Sequence, residues 1–340
     1  MNRVGLFLGK FTVFHAGHQL VLDTALAEMD KMIILIYDAP SSTTIPLDVR
    51  ASWIKKIYNG MPIEVIKGWG GPEDIGYSDQ VKKLQNDYIL SMVGDKGITH
   101  FYSSEPYGEH VSEALGCVNR TVDIKRIKIP IAASTIQINP YEYRDFIHPI
   151  VYADLVTNVA FVGAPSTGKT ILARRLASEY QTEWMPEYGR EYWDIHQQDR
   201  RLEPWQLTEI AEEHLVREDV KILTSNKFLF VDTNAITTYM FAIDYHGFAN
   251  PRLTQLAENA FFRYDLVFLC GDEIPYDDTW DRSGDVKRHQ FQRKIEADLL
   301  RRKIPYISLS GSLNERVQNV KQILSTFDKW KSIGNFSTNV

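Results

Sequence analysis

The chain is 340 residues long, 44% hydrophobic and 24% charged, with a formal net charge of −6. That length exceeds what a single core usually organises, so two domains are expected, and the composition excludes a disordered or membrane-buried chain. The acidic balance gives no footprint for nucleic acid, the two cysteines Cys117 and Cys270 lack metal-ligand spacing, and no apolar run is long enough to span a bilayer, so a cytoplasmic protein without membrane insertion is expected.

Along the chain, short runs rich in β-branched and aromatic residues alternate with helical patterns, the signature of parallel sheets covered on both faces. The first half predicts strands at Val4–Leu8, Met32–Tyr37, Ile63–Ile66, Thr99–Ser103 and Val122–Ile127. The helix following His18 places Leu22, Ala25, Leu26 and Met29 on one face. The stretch Pro140–Leu155 carries no strand pattern, so a boundary is expected near residue 150. Beyond it, strands are predicted at Val159–Val162, Phe228–Val231, Leu266–Cys270 and Tyr306–Leu309, with helices at Trp205–Leu223 and Lys287–Arg302. The expected fold class is α/β, with two doubly wound parallel-sheet domains over residues 1–150 and 155–340.

The first strand runs into "GKFTVFHAGH", where His15 and His18 flank Ala16-Gly17 at the start of a helix. Histidine nitrogens at a helix N-terminus join a field that attracts phosphate, and the Ala-Gly pair is expected to turn the chain tightly so that both rings face one triphosphate. Transfer of a phosphate ester at such a site runs on positioning and charge stabilisation without a covalent nucleophile. A zinc site is disfavoured because no third ligand pattern lies nearby.

In the second half, "GAPSTGKT" fits G-x-x-x-x-G-K-[ST] in full, after an apolar strand and before a helix whose Leu172, Ala173, Leu176, Ala177 and Tyr180 share a face. Gly163, Ser166, Thr167 and Gly168 are the loop that encircles phosphates, Lys169 reaches the β- and γ-phosphates of ATP, and Thr170 with Asp232 of "FVDTN" holds Mg²⁺. "PEYGREY" offers Glu187, Tyr188, Arg190 and Glu191 to hold a ribose diol, stack a ring and present a base; Glu187 and Asp232 compete for base and metal organiser. "DDTWDRSGDVKRH" places Arg282 and Arg288 in a polar loop suited to closing cations over a transferred phosphoryl group. A guanine-reading N-K-x-D motif is not found, so a small-molecule kinase fits better than a GTPase.

The H-x-G-H stretch resembles the nucleotidyltransferase superfamily of that name. Joined in order to "YSSEPYGEHV", "GAPSTGKT", "PEYGREY" and "FVDTN", the whole chain resembles the bifunctional NadR family, without the helix-turn-helix repressor domain that some members carry upstream. The resemblance implies a Rossmann-like nucleotidyltransferase domain followed by a P-loop kinase domain. It implies phosphorylation of nicotinamide riboside to nicotinamide mononucleotide with MgATP, then adenylyl transfer from a second ATP to give NAD and pyrophosphate. His15 and His18 would bind ATP phosphates with Gly9, Lys10 and Phe11 alongside, Glu105 and Tyr107 would sit at the nucleotide site, and Ser134 and Thr135 would contribute hydroxyls.

One departure stands out. The superfamily's late phosphate-binding signature I-S-x-T-x-I-R reads "IAASTIQ" here, with Gln137 in the arginine position. Losing that guanidinium removes about 1.5 to 3 kcal/mol of charge-assisted bonding, which Arg144 or Arg120 could restore. This departure motivates one alternative, a kinase whose N-terminal domain is a weak nucleotide sensor; a second, a non-enzymatic nucleotide-dependent regulator, stands because P-loops drive order–disorder changes. Assembly as a homo-oligomer stays open.

Overall fold

The computed structural model describes residues 2–73, 76, 78–198, 202–275 and 285–331, and the chain divides into two units, one built on residues 1–152 and one on residues 153–332. The first unit holds strands β1 (Val4–Gly9), β2 (Lys31–Tyr37), β3 (Ile63–Gly68), β4 (His100–Ser103) and β5 (Val118–Thr121). All are parallel, in the order β3-β2-β1-β4-β5, with register Phe7 to Ile34 and Phe7 to Tyr102 across the central strand. Strand order reverses between β1 and β4, so the crevice at their carboxyl ends is where such a sheet binds ligands. Met32 to Ile36 are all buried, as a strand covered on both faces requires. Leu6, Leu8, Ile33, Leu35 and Phe101 form one core face with Ile89, Val93 and Val111 of the covering helices Asp79–Val93 and Gly108–Leu115.

The fifth strand is not where the alternating stretch Val122–Ile127 suggests. Asp123 and Arg126 take left-handed backbone conformations, and the Asp123 carboxylate accepts from the amides of Ile127, Lys128 and Ile129 at 2.8 to 3.1 Å. A carboxylate that satisfies three successive amides removes them from any ladder, so the chain turns there, Ile127 faces solvent, and the more polar Val118–Thr121 pairs instead.

The second unit holds β6 (Thr157–Val162), β7 (Trp184–Met185), β8 (Phe228–Asp232), β9 (Leu266–Cys270) and β10 (Ile307–Leu309), parallel in the order β10-β9-β6-β8-β7. The two-residue β7 is too short to leave a periodic trace in the sequence. Helix Lys169–Tyr180 lays Leu172, Ala173, Leu176 and Ala177 on Phe161, Phe230 and Phe268, whose rings stack at 5.7 and 6.2 Å. Val317 and Val320 of helix Leu313–Thr326 join the same core. Among the described residues no helix is long and apolar enough to cross a membrane.

Candidate functional sites

In the first unit, β1 ends at Gly9 and the chain passes through Phe11, held at φ 44°, to His15, the N-cap of helix Ala16–Glu28. The His15 Nδ1 accepts from the amide of Gly17 at 3.1 Å, and the His18 Nδ1 accepts from the amide of His15 at 3.4 Å. This reciprocal capping fixes both tautomers, because a neutral ring whose Nδ1 accepts carries its proton on Nε2. Burial, reinforced by the nearby Arg126 charge, pulls the His15 pKa down to about 4, and burial beside His15 holds His18 well below the usual imidazole range. The two rings, with centroids 3.8 Å apart, are therefore neutral donors at neutral pH. The His15 Nε2 is buried and has no hydrogen-bond partner among the described residues.

Ala16 and Gly17 do not form a tight turn; they are the first turn of the helix. The glycine is needed for another reason, since a Cβ there would lie 2.9 Å from the His15 Cε1. Phe11 is buried, edge-on to the His18 ring at 4.9 Å, and so acts as a support beneath the histidines. The Lys10 Nζ donates to Ser42 at 2.8 Å and to the Glu73 carbonyl at 3.3 Å. Tyr107 donates its hydroxyl to the Leu8 carbonyl, bracing the end of β1, and Glu105 pairs with Arg126 at 3.2 Å. Ser134 and Thr135 open the short helix Ala133–Ile138, from which Gln137 donates to the Thr12 hydroxyl in the histidine loop.

Arg120 is not available as a substitute for the missing guanidinium. It forms a two-point bond to Glu28 at 2.8 and 3.1 Å. Arg144 lies in the 3₁₀ turn Arg144–Phe146. Arg50, unremarked in the sequence reading, is buried and donates to the carbonyls of Lys10, Tyr37, Asp38 and Ile45, tying the ends of β1 and β2 together. Its signal was a cation inside the apolar stripe Leu47, Ala51, Ile54.

In the second unit, the loop after β6 places Gly163 and Gly168 at positive φ, with Ser166 also left-handed. A Cβ on Gly163 would meet the Cys270 carbonyl at 2.8 Å, so only glycine fits. Buried Lys169 donates to the carbonyls of Gly163 and Ala164 at 3.0 and 2.9 Å, and the Thr167 hydroxyl donates to that of Ala164. The Thr170 hydroxyl donates to the Asp232 Oδ2 at 2.5 Å, while the Oδ1 is buried without a partner among the described residues. Burial, then the neighbouring Glu187 charge, raises Asp232 to about 6. Two further side chains hold the loop from behind. Gln292 accepts from the Ala164 amide at 2.7 Å, and buried Arg316 donates to the Thr167 carbonyl at 2.7 Å, also bonding the Gly271 carbonyl and Glu273.

The loop opens into a cavity of about 460 Å³ lined by Glu187, Arg190, Trp193, His214, Asn234, Thr237 and Phe241, among others. Helix Tyr188–His196 explains which of the "PEYGREY" residues arrive there. Glu187, Arg190 and Trp193 recur every three residues and line the cavity, whereas Tyr188 and Glu191 face away, the former beneath Arg217 at 4.0 Å and the latter paired with it at 2.9 Å. Trp193 Nε1, Asn234 Nδ2 and Thr237 Oγ1 are buried polar atoms without hydrogen-bond partners among the described residues, and the His214 Nε2 lies 3.1 Å from the carboxylate of buried Glu218. None of these four was singled out from sequence. Their signal was faint: polar residues at the cavity end of otherwise apolar helix faces.

Arg282 lies outside the described residues. Arg288 is not in a loop: helix Asp285–Arg301 already contains it, and it is buried with Nη2 donating to the carbonyls of Asp272 and Ile274.

A sheet presenting a neutral histidine pair at a helix N-terminus, and a second sheet whose P-loop opens into a cavity, fit an α/β transferase acting on nucleotides, with a nucleotidyltransferase-type unit and a kinase-like unit. A family model described as an AAA domain matches residues 158–316. The trifunctional NAD biosynthesis/regulator protein NadR of Escherichia coli (strain K12) is 26% identical over 324 residues, 89% of this chain and 78% of that protein. A crystal structure of NadR in complex with NAD and AMP-PNP superposes with a TM-score of 0.56 at 20% identity, covering 96% of this chain and 98% of that one. Another, in complex with NR, gives 0.55 at 20% identity and 95% coverage of both. Across nearly its whole length, the chain is homologous to the NadR proteins.

Proposed function

We propose that the chain makes NAD in two steps, with ATP consumed at each. In the second unit, the 5′-hydroxyl oxygen of nicotinamide riboside attacks the γ-phosphorus of ATP, ADP leaves with the bridging oxygen, and the hydroxyl proton passes to Glu187. Asp232 is committed to Thr170, which leaves Glu187, on the cavity wall, as the base. A hydroxyl and a carboxylate in contact, with one carboxylate oxygen free of partners among the described residues, are a donor set suited to a hard divalent cation. Thr170 and Asp232 would hold Mg²⁺, which neutralises charge on the β- and γ-phosphate oxygens. Lys169 exchanges its two loop carbonyls for phosphate oxygens, and Trp193, Asn234 and Thr237 offer their unpartnered atoms to the riboside.

In the first unit, a phosphate oxygen of nicotinamide mononucleotide attacks the α-phosphorus of ATP and pyrophosphate leaves. His15 and His18 donate Nε2–H bonds to the phosphate oxygens as charge moves onto them, with no proton lost from either ring. The observation that carries this reading is the buried, unpartnered His15 Nε2, fixed as a donor by the bond at its Nδ1.

The test is chromatographic product analysis of the purified protein with MgATP, given the riboside in one reaction and the mononucleotide in another. NAD in both is expected. Mononucleotide accumulating in the first with no reaction in the second reduces the chain to a kinase, and no product in either overturns the assignment.

A further inference from the structure

Gln137 leaves the adenylyl-transfer site without the guanidinium that its superfamily signature supplies, yet the ATP tail and the departing pyrophosphate carry several negative charges. Neutral His15 and His18 donate but do not neutralise. Lys10 is turned to Ser42 and the Glu73 carbonyl, and Arg120 to Glu28. A cation is carried near the site by the turn that displaced the fifth strand. Asp123 gathers the amides of Ile127, Lys128 and Ile129 into a hydrogen-bonded loop. That loop lies against the histidine helix, because Ile129 Cγ2 is 4.0 Å from where a Gly17 Cβ would stand, beside the His15 ring. Arg126 sits at its tip in a left-handed conformation with an exposed side chain, steered by a bond to Glu105 just past β4. Its charge is felt at the buried His15 ring.

We propose that Arg126, delivered by the Asp123-clamped loop, is the guanidinium that grips the β- and γ-phosphates of ATP and the departing pyrophosphate, in place of the arginine that Gln137 has lost. The inference rests on adenylyl transfer occurring in this unit. Gln137, bonded to Thr12, keeps a positioning role in the histidine loop. The exposed bond to Glu105 is weak enough to be exchanged for phosphate, as such pairs contribute about 0 to 1 kcal/mol.

The experiment compares wild type, Arg126→Ala and Arg126→Lys, and adds Gln137→Arg to Arg126→Ala. In dinucleotide formation from the mononucleotide, Arg126→Ala is expected to lower kcat/KM for ATP about 10- to 100-fold, with the KM for mononucleotide within about twofold. Inhibition by added pyrophosphate weakens in parallel, the lysine variant keeps an intermediate rate, and Gln137→Arg recovers most of the loss. The position is exposed, so the melting transition and the riboside kinase rate stay at wild-type values. Arg126→Ala with unaltered kcat/KM for ATP, or a loss expressed only in the KM for mononucleotide, overturns the inference. A wild-type chain that forms no dinucleotide overturns the parent reading and this one with it, and that outcome is visible before any variant is made.

Discussion

Replacing Gly17 with alanine separates activity from stability at the histidine site. The added Cβ would stand 2.9 Å from the His15 Cε1 and 3.1 Å from its Nδ1, whereas apolar contacts relax at about 3.5 to 4.0 Å, so the ring must move by about 0.5 to 1 Å. That shift breaks the 3.1 Å capping bond from the Gly17 amide, a loss of about 1 kcal/mol. Alanine in place of glycine within a helix restores about 1 kcal/mol, so net stability should change by less than about 1 kcal/mol. Catalysis has no such compensation. His15 and His18 rings are 3.8 Å apart and move together, and a misplacement of about 1 Å costs about 100-fold in rate. The assay is NAD formation from mononucleotide and MgATP, with riboside phosphorylation by the same sample as internal control and thermal melting as the fold check. A wild-type rate of NAD formation in Gly17→Ala would refute the reasoning. A melting loss large enough to explain the rate would also refute it.

His15 also gives stability a pH dependence. Its pKa is about 4 in the fold against an ordinary 6.5, so between these values the unfolded chain binds a proton that the folded chain does not, and stability falls as pH falls through that window. The full effect is about 3 kcal/mol; denaturant midpoints at pH 7 and 4.5 should differ by less in His15→Gln than in wild type. Trp193→Phe removes a buried indole donor that has no partner among the described residues, so the melting temperature should hold or rise while the KM for riboside rises about five- to tenfold; an unchanged KM would remove Trp193 from the substrate site. Arg316→Ala strips the donor from the Thr167 and Gly271 carbonyls, and denaturation should register a loss of about 2 kcal/mol or more together with a higher KM for ATP in the kinase reaction alone.

What could be read from sequence followed the range of each signal. Met32–Ile36 and Val159–Val162 are apolar runs whose burial is local information, and the glycine pattern of the P-loop states its own backbone geometry. Val122–Ile127 misled because its apolar residues were outweighed by one carboxylate, Asp123, whose bonds to three amides no periodicity expresses. In "PEYGREY" the residue types were informative but the helical phase was not: Glu187 and Arg190 reach the cavity, Tyr188 and Glu191 point to Arg217, and Trp193, one turn further on, joins the first pair. Arg50, Gln292 and Arg316 escaped because their partners are main-chain atoms brought near only by the fold. A charged or amide side chain within an apolar helical stripe was the available clue, and such a group is buried only when the fold supplies its partners.

The most direct test of two sites acting in series is product analysis of Lys169→Ala and His18→Ala, each given MgATP with either riboside or mononucleotide. The account predicts that Lys169→Ala leaves riboside untouched yet converts mononucleotide to NAD at the wild-type rate, while His18→Ala turns riboside into mononucleotide that accumulates. Either variant losing both steps, or both variants losing the same step, would contradict it.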